Sequence, residues 1–333
     1  MPEFRRDPVI GRWIIIDPSR NFKKIMHSQE DEYPKDKSKC PFCPGNESMT
    51  RPEILAYSDN PHRHPNSAGW TLRVIPNNKP LLEIEGTLKR RGEGMYDKMD
   101  GVGAHEIIIE TTNHYQTIAD RNEKQYENII TSIIERMKDL RRDSRLEYIL
   151  SFKNYGISAN AVFEHHHSQL IAMPIVPKRV REEITGAENY YKYRERCVFC
   201  DIIAQEMSAE ARIVQENEDF IALCPYASRY PFETWILPKN HQTDFDSLSY
   251  KDIKNLSKIS RSIFAKLYNV LDDPSYSVLI HTSPLKEKNM PYYHWHIEII
   301  PKLTKTSGFE WGTGLYANPV LPEEAAKYLR ESE

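Results

Sequence analysis

Two cysteine pairs and two pairs of widely spaced histidines carry the most readable chemistry in this chain. Cys40-x-x-Cys43, His114 and His165 lie in the first half, and Cys197-x-x-Cys200, His241 and His294 lie in the second. A Cys-x-x-Cys turn offers two thiolates from one local scaffold, and two distant imidazoles complete a four-coordinate set of the kind zinc takes in structural sites. The sets agree in order and spacing: 51 residues separate His114 from His165, and 53 separate His241 from His294. The decad from His105-Glu106 to Asn113-His114 also aligns without a gap on that from Phe232-Glu233 to Asn240-His241. Agreement at Cys, His, Asn and Glu marks an internal duplication. Two zinc ions per chain are expected, one in each copy.

Each skeleton ends in a His-x-His run: His165-His166-His167-Ser168-Gln169 and His294-Trp295-His296-Ile297-Glu298. On a strand, residues two apart share a face, so His165, His167 and Gln169 face one way, as do His294, His296 and Glu298. A second imidazole fixed beside a metal ligand is a suitable nucleophile toward phosphorus. The copies differ at the third position of that face. Gln169 is neutral and donates hydrogen bonds to a phosphoryl oxygen, whereas an ionised Glu298 repels a phosphate. His167 is therefore the expected nucleophile. His296 and Glu298, with His281, read as a degenerate copy keeping a structural or metal-binding role.

The elements that must position these residues recur in the same order. Strands are expected at Arg12–Ile16, Leu72–Ile75, Glu106–Glu110, Leu146–Lys153 and Ser168–Met173, with a long amphipathic helix at about 121–142. The second half repeats strand, strand, helix, strand, strand at Phe220–Leu223, Thr234–Leu237, about 248–271, Tyr276–His281 and Trp295–Ile300. That order gives an α+β fold of two tandem repeats, each a mostly antiparallel sheet with helices. The first repeat is expected over 1–177 and the second over 178–333, with a charged, Tyr-rich seam at 178–196.

The 333 residues suffice for two ordinary domains. A net charge of -3 and a pI of about 6.5 argue against nucleic acid as the partner. Four of the five cysteines sit in the Cys-x-x-Cys pairs, a usage that fits metal binding in a reducing compartment rather than a disulfide framework. There is neither a signal-peptide-like start nor an apolar run of the ~18 residues a membrane span needs, so a cytosolic protein is expected.

These residues resemble the histidine triad superfamily, and specifically its galactose-1-phosphate uridylyltransferase branch, in which two such repeats are fused. The resemblance rests on Arg6-Asp7-Pro8 through Asp17-Pro18-Ser19-Arg20, Cys40-Pro-Phe-Cys43, Asn77-Asn78, Asn154, His165-x-His167-Ser-Gln169, His294-Trp-His-Ile-Glu298 and Gly308 to Pro319. It implies a double displacement. The His matching His167 attacks the α-phosphate of UDP-glucose, releases glucose 1-phosphate and holds the uridylyl group, which galactose 1-phosphate then takes. Gln169 is expected to serve the phosphoryl oxygens, and Arg20 and Lys23 to hold phosphate. Asn77, Asn78 and Asn154 fall where the family contacts nucleotide or phosphate. A homodimer is implied by the same analogy.

Two departures stand out. The family's usual His-Pro-His is interrupted here by His166, a second imidazole beside the nucleophile able to bind metal or compete for the uridylyl group. Its Gly-x-Ser is replaced by Asn160-Ala161-Val162, a lost hydroxyl donor that costs ~1 to 3 kcal/mol. Two other readings remain open. One is an ADP-glucose phosphorylase or dinucleoside polyphosphate phosphorylase of the same fold. The other is a non-catalytic, zinc-stabilised nucleotide-binding protein.

Overall fold

The computed structural model describes residues 1–20, 37–287 and 290–332. The chain opens with a hairpin of β1 (Glu3–Arg6) and β2 (Trp13–Ile16). The first repeat follows as β3 (Leu55–Tyr57), β4 (Leu72–Pro76), an outlying hairpin of β5 (Arg91–Glu93) and β6 (Tyr96–Lys98), β7 (Ala104–Ile109), helix α1 (Glu123–Leu140), β8 (Tyr148–Tyr155) and β9 (His167–Met173). Two helices, α2 (Lys178–Arg194) and α3 (Val198–Ala209), occupy and follow the charged seam. The second repeat is β10 (Ile213–Glu216), β11 (Phe220–Leu223), β12 (Thr234–Pro238), helix α4 (Tyr250–Leu271), β13 (Tyr276–His281) and β14 (His296–Pro301). Strand β15 (Tyr316–Asn318) and a helix at Pro322–Glu331 close the described chain. No helix among the described residues is long and apolar enough to cross a membrane.

Both long helices begin on capping boxes at matched positions, Asn122 with Gln125 and Ser249 with Asp252. Helix α1 turns Tyr126, Ile129, Ile130, Ile133, Ile134 and Met137 into the core. Isoleucine costs a few tenths of a kcal/mol in helix propensity, whereas burying its side chain contributes ~1.5 to 3 kcal/mol, so packing decides this helix. Helix α4 presents Leu256, Ile259, Ile263 and Leu267 in the same way.

The two repeats do not form separate sheets. Each contributes five strands to one ten-stranded sheet, ordered β10-β11-β12-β14-β13-β8-β9-β7-β4-β3, in which every pairing is antiparallel. The join is β13 on β8, where Leu279 pairs with Phe152 and Ser277 with Asn154. On one face, Ile108, Leu170, Ile280, Ile297 and Ile236 belong to the core that includes the inward residues of α1 and α4. On the other face a single register row runs Ile107, Gln169, Phe152, Leu279, Glu298, Trp235. Gln169 and Glu298 thus look out of the same side of one sheet, three strand spacings or about 14 Å apart.

The two copies of that face are covered differently. Over the second repeat, Val180, Ile184 and Ala187 of α2 and Val198, Phe199 and Ile203 of α3 pack with Leu223, Trp235 and Leu237. The seam is therefore a structural wall. The opening hairpin pairs with the far end of the chain, β2 running parallel to β15 so that Ile14 and Ile16 sit with Ala227. Arg5 and Arg212 both close on Glu323, fastening that end.

Candidate active site

The first metal-type cluster assembles from a turn, a loop and a strand end. Cys40, Cys43, His114 and His165 each present one donor atom, all within 4.8 Å of one another. Cys43 Sγ lies 3.3 Å from His114 Nδ1 and 3.6 Å from His165 Nδ1, and Cys40 Sγ lies 3.7 Å from His165 Nδ1. His165 Nε2 donates to the Thr111 carbonyl at 2.8 Å, and His114 Nε2 faces Glu164 Oε2 at 3.2 Å. Each ring thus spends Nε2–H on an acceptor and leaves the Nδ1 lone pair facing the sulfurs, the arrangement by which second-shell acceptors orient metal-ligating imidazoles. Two thiolates and two neutral imidazoles suit zinc.

The second cluster repeats the design. Cys197, Cys200, His241 and His294 also bring their donors within 4.8 Å. Cys200 Sγ is 3.5 Å from His241 Nδ1 and 3.7 Å from His294 Nδ1. His294 Nε2 donates to the Pro238 carbonyl at 2.9 Å, and Pro238 aligns with Thr111 in the duplicated sequence. The aligned glutamates have a shared use as well: Glu106 takes Arg136 at 2.7 and 2.8 Å, and Glu233 takes Arg229 at 3.0 Å.

His167 begins β9 and is buried. Its Nδ1–H donates to the His165 carbonyl at 2.8 Å, so Nε2 keeps its lone pair. Burial, followed by the nearby Lys153 charge, pushes its pKa down to about 4, which leaves the ring neutral at physiological pH. Phe42, from the Cys-x-x-Cys turn, packs on the ring at 5.1 Å between centroids. Behind the strand, Ser168 donates to Glu110, which also takes Lys153 and Arg121 at 2.6 Å each. This buried knot holds β9 from its far side. His166 also belongs to that far side, stacked on Tyr155 at 4.6 Å with 2° between the rings. It therefore does not stand beside His167, because strand alternation turns it to the opposite face.

The expected substrate contacts divide. Asn154 lies on the Gln169 face of β8, two residues beyond the Phe152 that pairs with Gln169, and its Oδ1 accepts from Ser277 Oγ at 2.9 Å. Asn77 places Nδ2 3.1 Å from His105 Nε2, next to Gln169. Asn78 spends its amide on two loops, donating to the Met49 carbonyl at 2.9 Å and accepting from the Arg51 amide at 3.1 Å. Arg20 lies against the second repeat rather than beside His167. It is exposed, 3.3 Å from Asp17, and lines a cavity of about 230 Å³ with Arg229, Tyr230, Glu310 and Tyr316, because β2 pairs with β15 and delivers it to the second repeat. Lys23 lies outside the described residues.

At the second copy, His281 stacks on His296 at 4.5 Å and lies 3.0 Å from Glu183 and 3.3 Å from Glu298, which Arg229 also meets at 2.8 Å. Burial pulls the His281 pKa down, but the Glu183 and Glu298 carboxylates outweigh it and raise the value to about 10, while burial pushes neighbouring His296 to about 4. Glu183, His281 and His296 have metal-compatible spacing. Protonated His281 sits between Glu183 and Glu298, and Arg229 is shared between Glu298 and Glu233. A group whose folded pKa is raised stabilises fully below its unfolded pKa, and the benefit fades as pH climbs through the folded value. The stability gap between wild type and His281→Asn is therefore expected to narrow by about 2 to 4 kcal/mol between pH 6.5 and pH 10. Equilibrium unfolding across that range measures it, and a gap independent of pH refutes it.

A cavity of about 880 Å³ opens over this second copy, where Arg12, Arg179, Trp235 and His296 help to line it. The cluster in that cavity presents ionised Glu298, whereas the first copy presents a neutral imidazole beside an amide. Two residues that shape these clusters have no role assigned from sequence. Glu183 comes from the seam helix, whose charged pattern reads as solvated surface. His105 enters the sequence alignment only as the residue opposite Phe232, although alternation with Ile107 and Ile109 places it on the Gln169 face.

Residues 1–177 match the family description "Galactose-1-phosphate uridyl transferase, N-terminal domain", and residues 180–331 match "Galactose-1-phosphate uridyl transferase, C-terminal domain". The chain is 36% identical to an ADP-glucose phosphorylase of Arabidopsis thaliana over 99% of this chain and 93% of that one. It is 28% identical to a galactose-1-phosphate uridylyltransferase of Thermotoga maritima over 100% of this chain and 99% of that one. Among solved structures, the Arabidopsis thaliana ADP-glucose phosphorylase with bound ADP-glucose superposes with a TM-score of 0.84 at 34% identity, covering 100% of both chains.

Proposed function

Because this chain belongs to the galactose-1-phosphate uridylyltransferase family, we propose that it is a nucleotidyltransferase whose His167 takes the nucleotidyl group of a nucleotide sugar. The observation that carries this reading is the His167 ring itself: neutral, fixed through Nδ1, and presenting Nε2 on the face that holds Gln169 and Asn154. In the first half-reaction Nε2 attacks the α-phosphorus. The bond from phosphorus to the bridging oxygen breaks and the sugar 1-phosphate leaves with that electron pair. The second substrate's phosphate then attacks the same phosphorus and frees His167. Gln169 and Asn154 are the donors available to charge building on the phosphoryl oxygens. Zinc at the first cluster would be held by Cys40, Cys43, His114 and His165 and would supply a fixed His165, whose carbonyl orients His167.

ADP-glucose with inorganic phosphate as acceptor is the pair we place first, on the strength of the similarity to the Arabidopsis phosphorylase. Exchange of UMP between UDP-glucose and galactose 1-phosphate is the second reading, supported by the Thermotoga relative. A homodimer remains the expected assembly. Incubating the full chain with ADP-glucose or UDP-glucose, without acceptor, and weighing the intact protein tests the reading. An adenylyl or uridylyl adduct, absent from His167→Ala, is the expected result and reports the base. Nucleotide binding with no adduct from either sugar would favour a non-catalytic binding protein instead.

A further inference from the structure

We propose that His105 is a positioning residue which locks the Gln169 side chain so that its amide N–H, rather than its carbonyl, faces the phosphoryl group on His167. The inference rests on the nucleotidyl-transfer reading for its purpose, but its geometry stands on hydrogen-bond accounting alone. An amide end is ambiguous by shape: turned one way Gln169 donates to an anion, turned the other it repels one. Something must choose.

The choice begins at a backbone group whose polarity is fixed. Leu81 N–H donates to His105 Nδ1 at 3.1 Å, so that nitrogen carries no proton. A neutral imidazole then bears its proton on Nε2 and must donate from there. Burial lowers the His105 pKa, which favours this neutral form. Two side chains approach Nε2. Asn77 has its Oδ1 held by the Lys79 amide at 2.9 Å, so it turns Nδ2 to the ring at 3.1 Å and offers no acceptor. Gln169 Oε1, at 2.9 Å, is the acceptor. With its oxygen engaged behind, Gln169 directs Nε2 away from His105. His105 and Gln169 are diagonal neighbours on adjacent strands, since Ile107 pairs with Gln169 and His105 with Ile171, so the contact is short and rigid.

The relay also ties β9 to the loop after β4 through the Leu81 amide. Its second-copy counterpart is Phe232, which can make no such bond, and there the third face position is Glu298. The orienting histidine and the residue that needs orienting occur together in one copy and are both missing from the other.

The test is a double-substitution cycle on the full chain. The rate of nucleotidyl-adduct formation, AMP affinity and thermal midpoint are measured for wild type, His105→Phe, Gln169→Ala and the double variant, with His105→Gln as the rescue that keeps a donor at the Nε2 position. His105→Phe is expected to slow adduct formation about 10- to 100-fold with AMP affinity unchanged and the thermal midpoint lower by only a few degrees, from the lost Leu81 bond. It should add no further loss in the Gln169→Ala background, and His105→Gln should recover most of the rate. Additive losses, or AMP affinity and stability falling in parallel with rate, would overturn the proposal. If wild type forms no adduct, the transfer reading fails, and the lock is still decided by the tautomer. Long-range proton–nitrogen NMR should show His105 protonated at Nε2, and protonation at Nδ1 refutes the lock.

Discussion

His167→Ala is expected to lower nucleotidyl transfer by at least about 10⁴-fold, the scale on which removing an enzyme's nucleophile acts. It should leave nucleotide affinity within a few-fold. The effect is chemical rather than structural. Strand β9 keeps its pairings, Ile109 opposite residue 167 and Ile107 opposite Gln169, and the Glu110 knot behind Ser168 is untouched. Truncating a buried ring beside Phe42 still costs packing, so a thermal midpoint lower by a few degrees is compatible with a folded, inactive variant. Steady-state rates, adduct mass and thermal denaturation on one preparation separate the two effects. Retention of even a hundredth of the wild-type rate would remove His167 from the mechanism.

Loss of the two metals is expected to have unequal consequences. Full chain purified without chelator should carry close to two zinc ions, and elemental analysis finding fewer than one would sink both sites. Cys43→Ser should destabilise and inactivate together. The first cluster anchors the turn bearing Phe42 and fixes His165, whose carbonyl orients His167. Cys200→Ser should lower the thermal midpoint on the order of 10 °C, because structural zinc binding contributes directly to folding free energy. Its adduct-forming rate at a temperature where it remains folded should change little. The second cluster fastens the start of α3 against His296 and Trp235, away from His167. Equal loss of activity in both variants would contradict this division.

Much of this was legible before any coordinates. The helices expected over about 121–142 and 248–271 span 123–140 and 250–271, since stripes such as Ile129, Ile130, Ile133 and Ile134 admit one periodicity. Residues from Cys40 to His294 could be grouped into two ligand sets because the chain holds two versions of the pattern, each serving as a control on the other. Gln169 and Glu298 stood out for the same reason. What stayed hidden depends on pairings that leave no local trace. Nothing near Trp13–Ile16 announces that it will lie against Tyr316–Asn318, so the sequence alone does not show that Arg20 comes to lie beside the second repeat. Nothing in Asn78 distinguishes an amide that binds a nucleotide from one that staples Met49 to Arg51. Glu183 reaches His281 only because a charged segment folds into a helix over the sheet.

The continuous sheet has a consequence for how the two copies can vary. In a symmetric pair of identical one-repeat chains, every substitution arrives in duplicate, and a residue useful at one centre is imposed on the other. Here the β13–β8 join lies within a single chain, so each copy is written once and independently. His105 with Gln169 can stand on one side and Phe232 with Glu298 on the other, at no cost to the hydrogen bonds that join them. Covalent continuity is what permits asymmetry: each half is free to keep residues that its twin lacks.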